Sequence, residues 1–121
     1  MLRAAHFSGF AVSIATAALL SGVQPAAAQS FKCRDASNAA ERAVCGSDRL
    51  SDLDDRMSDL YGQLLSGTAS ERTRGWVRDY QRRFLSARDA CGRNTGCIKG
   101  AYLDQISVLS ARVRVAETDG D

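Results

Sequence analysis

Four cysteines constrain the fold of this chain more than any other feature, and all of them follow an N-terminal segment typical of an export signal. They are Cys33, Cys45, Cys91 and Cys97. In an oxidising compartment an even number of cysteines favours disulfide bonds. A zinc site would instead need Cys-x2-Cys pairs or histidines, and residues 29–121 contain neither. We therefore expect a small domain stapled by disulfides, with no metal and no cofactor.

The first 28 residues have the three parts of a cleaved secretory signal peptide. Arg3 provides a positive charge, residues 10–20 are apolar, and the alanines at 26–28 suit cleavage before Gln29. The alternative is an uncleaved anchor, but the apolar stretch is short for a bilayer core of about 30 Å. We expect a periplasmic or secreted protein without a stable membrane anchor. Its parts are a signal peptide over 1–28, one domain over 29–114 and a flexible acidic tail over 115–121.

The spacing of the cysteines leaves three disulfide pairings open. The stretch 92–96, Gly-Arg-Asn-Thr-Gly, is rich in turn-forming residues and can bring its flanking cysteines together. This favours the pairing Cys33–Cys45 with Cys91–Cys97, which closes two short loops.

The apolar residues follow a helical period throughout the expected domain, and no stretch alternates as a strand would. Asn38 and Glu41 form a capping-box pattern that opens a short helix ending near Cys45. Three longer helices are predicted over 48–65, 70–90 and 97–113. The fold class is therefore an all-α bundle of one short and three longer helices. The predicted apolar stripe of the third helix includes Trp76, Val77, Tyr80, Phe84, Ala87 and Cys91.

The residue types argue against an enzyme. His6 is the one histidine of the chain and lies in the signal segment, so the domain has no Ser-His-Asp or Cys-His arrangement. A hydrolase could still use two carboxylates. The adjacent pair Asp54 and Asp55 is unsuited to this, because neighbouring helical residues point about 100° apart. We predict no catalytic residues.

Charge is nearly balanced overall but unevenly distributed, with 16 Lys+Arg against 14 Asp+Glu. Four aspartates share the outer arc of the second helix, and we call them the acidic ridge: Asp48, Asp52, Asp55 and Asp59. The ridge is either a solubilising face or a docking surface for a basic partner.

Asp54 and Arg88 lie at the edges of two apolar stripes, which predicts a structural ion pair. The arginine-rich third helix could bind anionic polymers, whereas export argues against nucleic acid.

An ordered combination of residues runs through the whole expected domain. It comprises Phe31, Cys33, Ala36, Glu41, Val44, Cys45, Leu50, Leu53, Asp54, Met57 and Tyr61, then Gln81, Arg82, Phe84, Leu85, Arg88, Asp89 and Cys91, and finally Cys97, Ile98, Ala101, Tyr102 and Leu109. This combination resembles the LprI-like N-terminal domain family of exported bacterial proteins. The chain departs from the family at Phe84, where tryptophan is usual and Trp76 could fill the space, and at Gln105, where arginine is common.

The resemblance implies a function in protein binding. A member of the family inhibits animal-type lysozyme, so the expected partner is lysozyme and the expected mechanism is occlusion of its cleft. Two alternatives stay open: a periplasmic scaffold or interaction protein without inhibitory activity, and a module that binds anionic polymers of the bacterial envelope. The resemblance leaves the oligomeric state undetermined.

Overall fold

Four α-helices and one short 3-10 turn make up the part of the chain that the structure, a computed structural model, describes, namely residues 30–67 and 70–119. The 3-10 turn spans Cys33–Asp35. The helices are α1 (Ala39–Cys45), α2 (Asp48–Ser66), α3 (Glu71–Ala90) and α4 (Thr95–Thr118). No strand occurs in these two ranges, which confirms the all-α class with one short and three longer helices. The expected signal peptide lies outside the described residues.

Each α-helix begins at a polar side chain that accepts a hydrogen bond from the first turn. Such a bond satisfies a backbone N–H that has no partner within the helix. At the start of α1 the N–H of Glu41 donates to Asn38 over 2.9 Å, and at the start of α2 the N–H of Leu50 donates to Ser47 over 3.3 Å. At the start of α3 the N–H of Thr73 donates to Ser70 over 3.2 Å, and at the start of α4 the N–H of Cys97 donates to Asn94 over 3.0 Å. These caps explain why the observed starts lie within two residues of the predicted ones.

The C-terminal end of α4 differs from the prediction. The apolar stripe predicted an end near Val113 and a flexible tail from residue 115, but the helix continues to Thr118. No glycine or proline interrupts residues 113–118, so nothing in that stretch stops the backbone hydrogen-bond ladder. The expected domain boundary at 114 therefore cuts through a helix.

The core forms where α2, α3 and α4 pack together, with the closest association between α2 and α4. The side chains of Met57, Val77, Ile98, Tyr102 and Leu109 are completely buried. Full burial of a side chain of this size stabilises the fold by about 1.5–3 kcal/mol relative to exposure. α1 adds Ala40 and Val44 at one end of the same core.

Two disulfides close the ends of this bundle. Cys33 pairs with Cys45, which ties the 3-10 turn to the end of α1, and Cys91 pairs with Cys97, which ties the end of α3 to the start of α4. Their Cα–Cα distances are 5.7 and 5.6 Å, as usual for disulfides. This is the pairing that the turn-rich stretch 92–96 favoured. Each bond closes a short loop and is worth about 2–3 kcal/mol on the chain-entropy model.

Two glycines should respond to alanine in opposite directions. Gly62 lies inside α2 with no atom within 4 Å of an added Cβ, so Gly62→Ala should stabilise the protein by about 0.5–1 kcal/mol. Gly92 has φ +58° in the turn between α3 and α4, so Gly92→Ala should destabilise it by about 1–2 kcal/mol. Urea unfolding of the oxidised mature protein measures both changes. Equal midpoints for the two variants would contradict this explanation.

Candidate functional site

The acidic ridge lies on α2 and is largely open to solvent. Asp48, Asp52 and Asp59 are exposed, while Asp55 is half-buried. At 100° per residue, Asp55 is the ridge member closest in helical angle to the buried Asp54. The ridge is therefore a surface that a partner can reach, with one carboxylate at its margin.

The ridge carboxylates interact with one another unfavourably. Burial raises the pKa of Asp55, and the charge of Asp54 and then those of Asp52 and Asp59 raise it further. The Oδ1 atom of Asp55 is buried and has no hydrogen-bond partner. This concentration of like charge lowers folding stability and raises the negative potential on one face of α2, which is what a basic partner would sense.

Asp54 is completely buried and accepts three hydrogen bonds. Ser30 donates its backbone N–H to Oδ2 over 2.7 Å and its hydroxyl to Oδ1 over 2.8 Å, and Tyr102 of α4 donates its hydroxyl to Oδ1 over 2.8 Å. Burial, followed by the charge of Asp54, raises the pKa of Tyr102 far above its usual range. Asp54 thus joins the N-terminal segment, α2 and α4 at one point.

Arg88 is also buried, with 2% of its surface exposed. Its Nη2 lies 3.1 Å from Glu41 of α1 and 2.7 Å from the neighbouring Asp89. The guanidinium carbon lies 5.4 Å from the centre of the Phe31 ring, within the range of a cation–π contact. Burial would lower the pKa of Arg88, but its interactions with Tyr102 and Asp89 outweigh this and raise it.

The predicted direct ion pair between Asp54 and Arg88 is wrong. Among the residues that the structure describes, the carboxylates paired with Arg88 are those of Glu41 and Asp89. Asp54 and Arg88 both lie in the interior, as expected from their positions at the edges of two apolar stripes. Their partners come from other elements as well, and these positions alone do not reveal them. The Tyr102 hydroxyl interacts with both charges and links them indirectly.

Two buried glutamines were not predicted as core residues. Gln105 donates its side-chain N–H to Gln81 Oε1 over 2.9 Å, and Gln81 donates to the sulfur of Met57 over 3.2 Å. Gln81 lies four residues after Val77 and seven before Arg88, on the buried face of α3. That spacing could have identified it.

The aromatic residues Trp76 and Tyr80 form a surface cluster with Arg112. Trp76 is 38% exposed, its ring stacks on Tyr80 at 5.0 Å, and the Arg112 guanidinium lies 5.0 Å from its centre. The expectation that Trp76 fills core space beside Phe84 is therefore wrong. Phe84 itself packs against the ring of Tyr102, at 5.1 Å between centroids. The buried face of α3 contains two polar side chains, Gln81 and Arg88. A prediction from apolar residues alone therefore misplaced the centre of this buried face.

The arginines of α3 are partly neutralised on their own helix. Glu71 pairs with Arg74 and Arg78 over 2.9 and 3.1 Å, and Asp79 pairs with Arg82. The turn that follows α3 is held at both ends by the Cys91–Cys97 disulfide, with Arg93 exposed between the two cysteines. Arg93 is therefore an exposed positive group on a short, constrained turn.

Within 30–67 and 70–119, no group of histidines, cysteines and carboxylates is arranged to hold a metal ion. None of the helices described by the structure has the length and apolarity needed to cross a lipid bilayer.

Comparison with known families finds a match that spans most of the chain. A family model described as lysozyme inhibitor LprI matches residues 33–118. The match includes both disulfides and all four described α-helices, and it ends where α4 ends. Comparison with curated proteins and with solved structures found no match.

Tyr102→Phe should destabilise the protein by about 1–3 kcal/mol, because it removes a hydrogen bond to a buried carboxylate. Tyr80→Phe is the matched control, since the half-buried Tyr80 keeps its stacked ring, and it should change the free energy of unfolding by less than about 0.5 kcal/mol. Urea unfolding of the oxidised protein compares the two. Indistinguishable midpoints would show that the Tyr102 hydroxyl does not hold Asp54.

Asp55→Asn should stabilise the protein at neutral pH. The pKa of Asp55 is raised on folding above its ordinary value of 3.8, so its ionised form opposes folding once the pH exceeds the folded-state pKa. Removing the charge should give roughly 0.2–0.5 kcal/mol at pH 7, the usual size of helical like-charge repulsion. The gain should vanish well below pH 3.8, where Asp55 is protonated in both the folded and the unfolded state. Unfolding curves at neutral pH and well below that value test this, with Asp104→Asn on the exposed face of α4 as control.

Proposed function

The chain belongs to the lysozyme inhibitor LprI family, and from this premise we propose that it is an exported protein that binds lysozyme and inhibits it. The description of the family supports inhibition rather than catalysis. The observation that carries the proposal is the acidic ridge, a solvent-accessible negative surface on a fold stabilised independently of it. A basic target such as animal-type lysozyme would be attracted to such a surface.

The proposed mechanism has two steps, docking and occlusion. The ridge raises the rate of encounter, because complementary charge affects association rates more than final affinity. A positive group then enters the cleft, whose two catalytic carboxylates form an acidic site. Arg93 is the leading candidate for this group, because it is exposed on a turn that the Cys91–Cys97 disulfide pre-organises.

Export fits this function and the chemistry of the cysteines. We propose that residues 1–28 direct the chain out of the cytoplasm and are removed before Gln29. Both disulfides would then form in an oxidising compartment, where they are stable. The domain would act in the periplasm or outside the cell, where lysozyme reaches the envelope.

Binding to anionic envelope polymers is a weaker alternative. It requires the arginines of α3 to act together, but three of them are already paired with Glu71 or Asp79. Surface pairs of this kind are weak, with a typical worth of about 0–1 kcal/mol, so they reduce the positive potential without abolishing it. A second alternative is a scaffold that binds a partner through the same ridge without inhibiting it. An inhibition assay with lysozyme distinguishes this scaffold from the proposed inhibitor.

Replacing the whole ridge, Asp48, Asp52, Asp55 and Asp59, with asparagine should slow association with lysozyme and flatten its dependence on salt. A control variant with the same change in net charge replaces four exposed acids elsewhere, Asp35, Asp79, Asp104 and Glu117, with their amides. Stopped-flow association from about 20 to 300 mM salt compares the two, over which Debye screening becomes strong.

The wild-type protein and its variants test the docking step and the occlusion step separately. If the wild type does not slow cell-wall lysis by lysozyme at micromolar concentration, the inhibitor proposal is wrong. If the ridge variant and its control associate equally fast, the ridge has no special role and only net charge matters. An inhibitor that loses potency on Arg93→Ala while still associating rapidly would support the assignment of Arg93 to the cleft.

A further inference from the structure

One side of the helix pair α3 and α4 carries a repeat typical of helices that pack against other helices. The residues of this repeat are Trp76, Tyr80, Arg83 and Ala87 on α3, and Ala101, Asp104, Val108, Ala111 and Val115 on α4. They follow one another in steps of three and four, as in the seams of helical bundles. All of them are exposed or half-buried, so no other described element covers this side. We call it the α3–α4 face.

The α3–α4 face leaves apolar surface open to solvent. Trp76 and Val115 are 38% and 45% exposed. Beside Tyr80 the two helices border a hollow of about 250 Å³, which Ala87 and Ala101 also line. Alanine side chains are short, so another helix can approach closely there. The face extends over about 20 Å of helix, and an apolar surface of this extent suits contact with another protein.

The charges of the face are complementary to themselves. Arg83 and Asp104 line the same hollow, so they lie at the same level of the two helices. In the described part of the chain neither of them forms an ion pair. A surface with one charge of each sign favours a partner of the same pattern over a strongly basic or a strongly acidic one.

A two-fold axis along the groove between α3 and α4 would satisfy both charges. It places α3 of each copy against α4 of the other, because such an axis exchanges the two sides of the groove without changing the level along it. Arg83 of each copy then faces Asp104 of the other, and the contact contains two pairs of opposite charge. Trp76 lies beside Arg112 in its own copy, so the same axis brings it to the part of α4 that carries Val115.

We propose that the α3–α4 face binds a second copy of this chain and forms a symmetric dimer. The α3 and α4 helices of both copies make a four-helix bundle in which all neighbouring helices are antiparallel. The acidic ridge lies on α2 and takes no part, so the dimer presents two ridges. This dimer goes beyond the proposed binding of lysozyme.

The experiment is sedimentation velocity of the oxidised mature protein from about 5 µM to about 1 mM. The interface consists of two helices from each copy and is therefore small, so we expect a dissociation constant on the order of 100 µM. The sedimentation coefficient should rise with concentration from the monomer value towards that of the dimer.

Reversed charges test the symmetry of the contact. Arg83→Asp sets carboxylates against each other, and Asp104→Arg does the same with guanidinium groups, so each variant alone should dimerise at least about tenfold more weakly. An equimolar mixture of the two should regain the wild-type affinity to within about threefold, because every pair is again of opposite charge. Arg56→Asp makes the same charge change at an exposed position of α2 and should leave dimerisation unchanged.

Exposed apolar residues provide a second matched pair. Trp76→Ala removes the largest ring of the face and should weaken dimerisation at least about tenfold, since tryptophans often dominate the energy of an interface. Leu103 is 46% exposed on the other side of α4, so Leu103→Ala should have no effect on dimerisation. Circular dichroism melts check that all variants fold.

Four results would each overturn this dimer. They are a monomer at about 1 mM, equal affinity of the wild type and the two charge-reversed variants, a mixture of these variants that associates no better than either alone, and equal affinity of Trp76→Ala and Leu103→Ala. The measurement contains no lysozyme, so a monomeric protein and a failed inhibition assay are separate findings.

Discussion

Two buried charges fix how the four helices are arranged. Asp54 of α2 is held by Ser30 and by Tyr102 of α4, and Arg88 of α3 is held by Glu41 of α1 and by its neighbour Asp89. Leaving a buried charge without its partner costs about 3–5 kcal/mol. An arrangement that packed the apolar stripes equally well but separated these groups would therefore be much less stable. The apolar core provides the main driving force, and the charges select one packing.

The disulfides support the same arrangement from outside the core. The Cys33–Cys45 bond holds the segment before α1, which brings Ser30 to Asp54 and Phe31 to Arg88. The Cys91–Cys97 bond fixes the short turn between α3 and α4. A domain of this size buries a modest core, so covalent constraints on the unfolded chain contribute a large share of the net stability.

Sequence patterns predicted the helices well because helix starts depend on local chemistry. The caps at Asn38 and Ser70 act within one turn and can be read without knowledge of the fold.

The polar interior could not be predicted in the same way. Whether Asp54 meets Arg88 directly depends on where Tyr102 and Glu41 come to lie, and these belong to other helices. Trp76 was misplaced for a related reason, since hydrophobicity alone ignored the buried Gln81.

Adjacent aspartates on α2 serve different purposes because they face different surroundings. Asp54 is surrounded by donors and stabilises the fold, whereas Asp55 is half-buried at the margin of the ridge and is repelled by Asp52 and Asp59. Since repulsion of this kind lowers stability, folding explains little of the ridge beyond Asp48, which lies in the first turn of α2 and interacts favourably with the helix dipole. The ridge can therefore change without loss of the fold, because the buried contacts of Asp54 and Arg88 do not involve it.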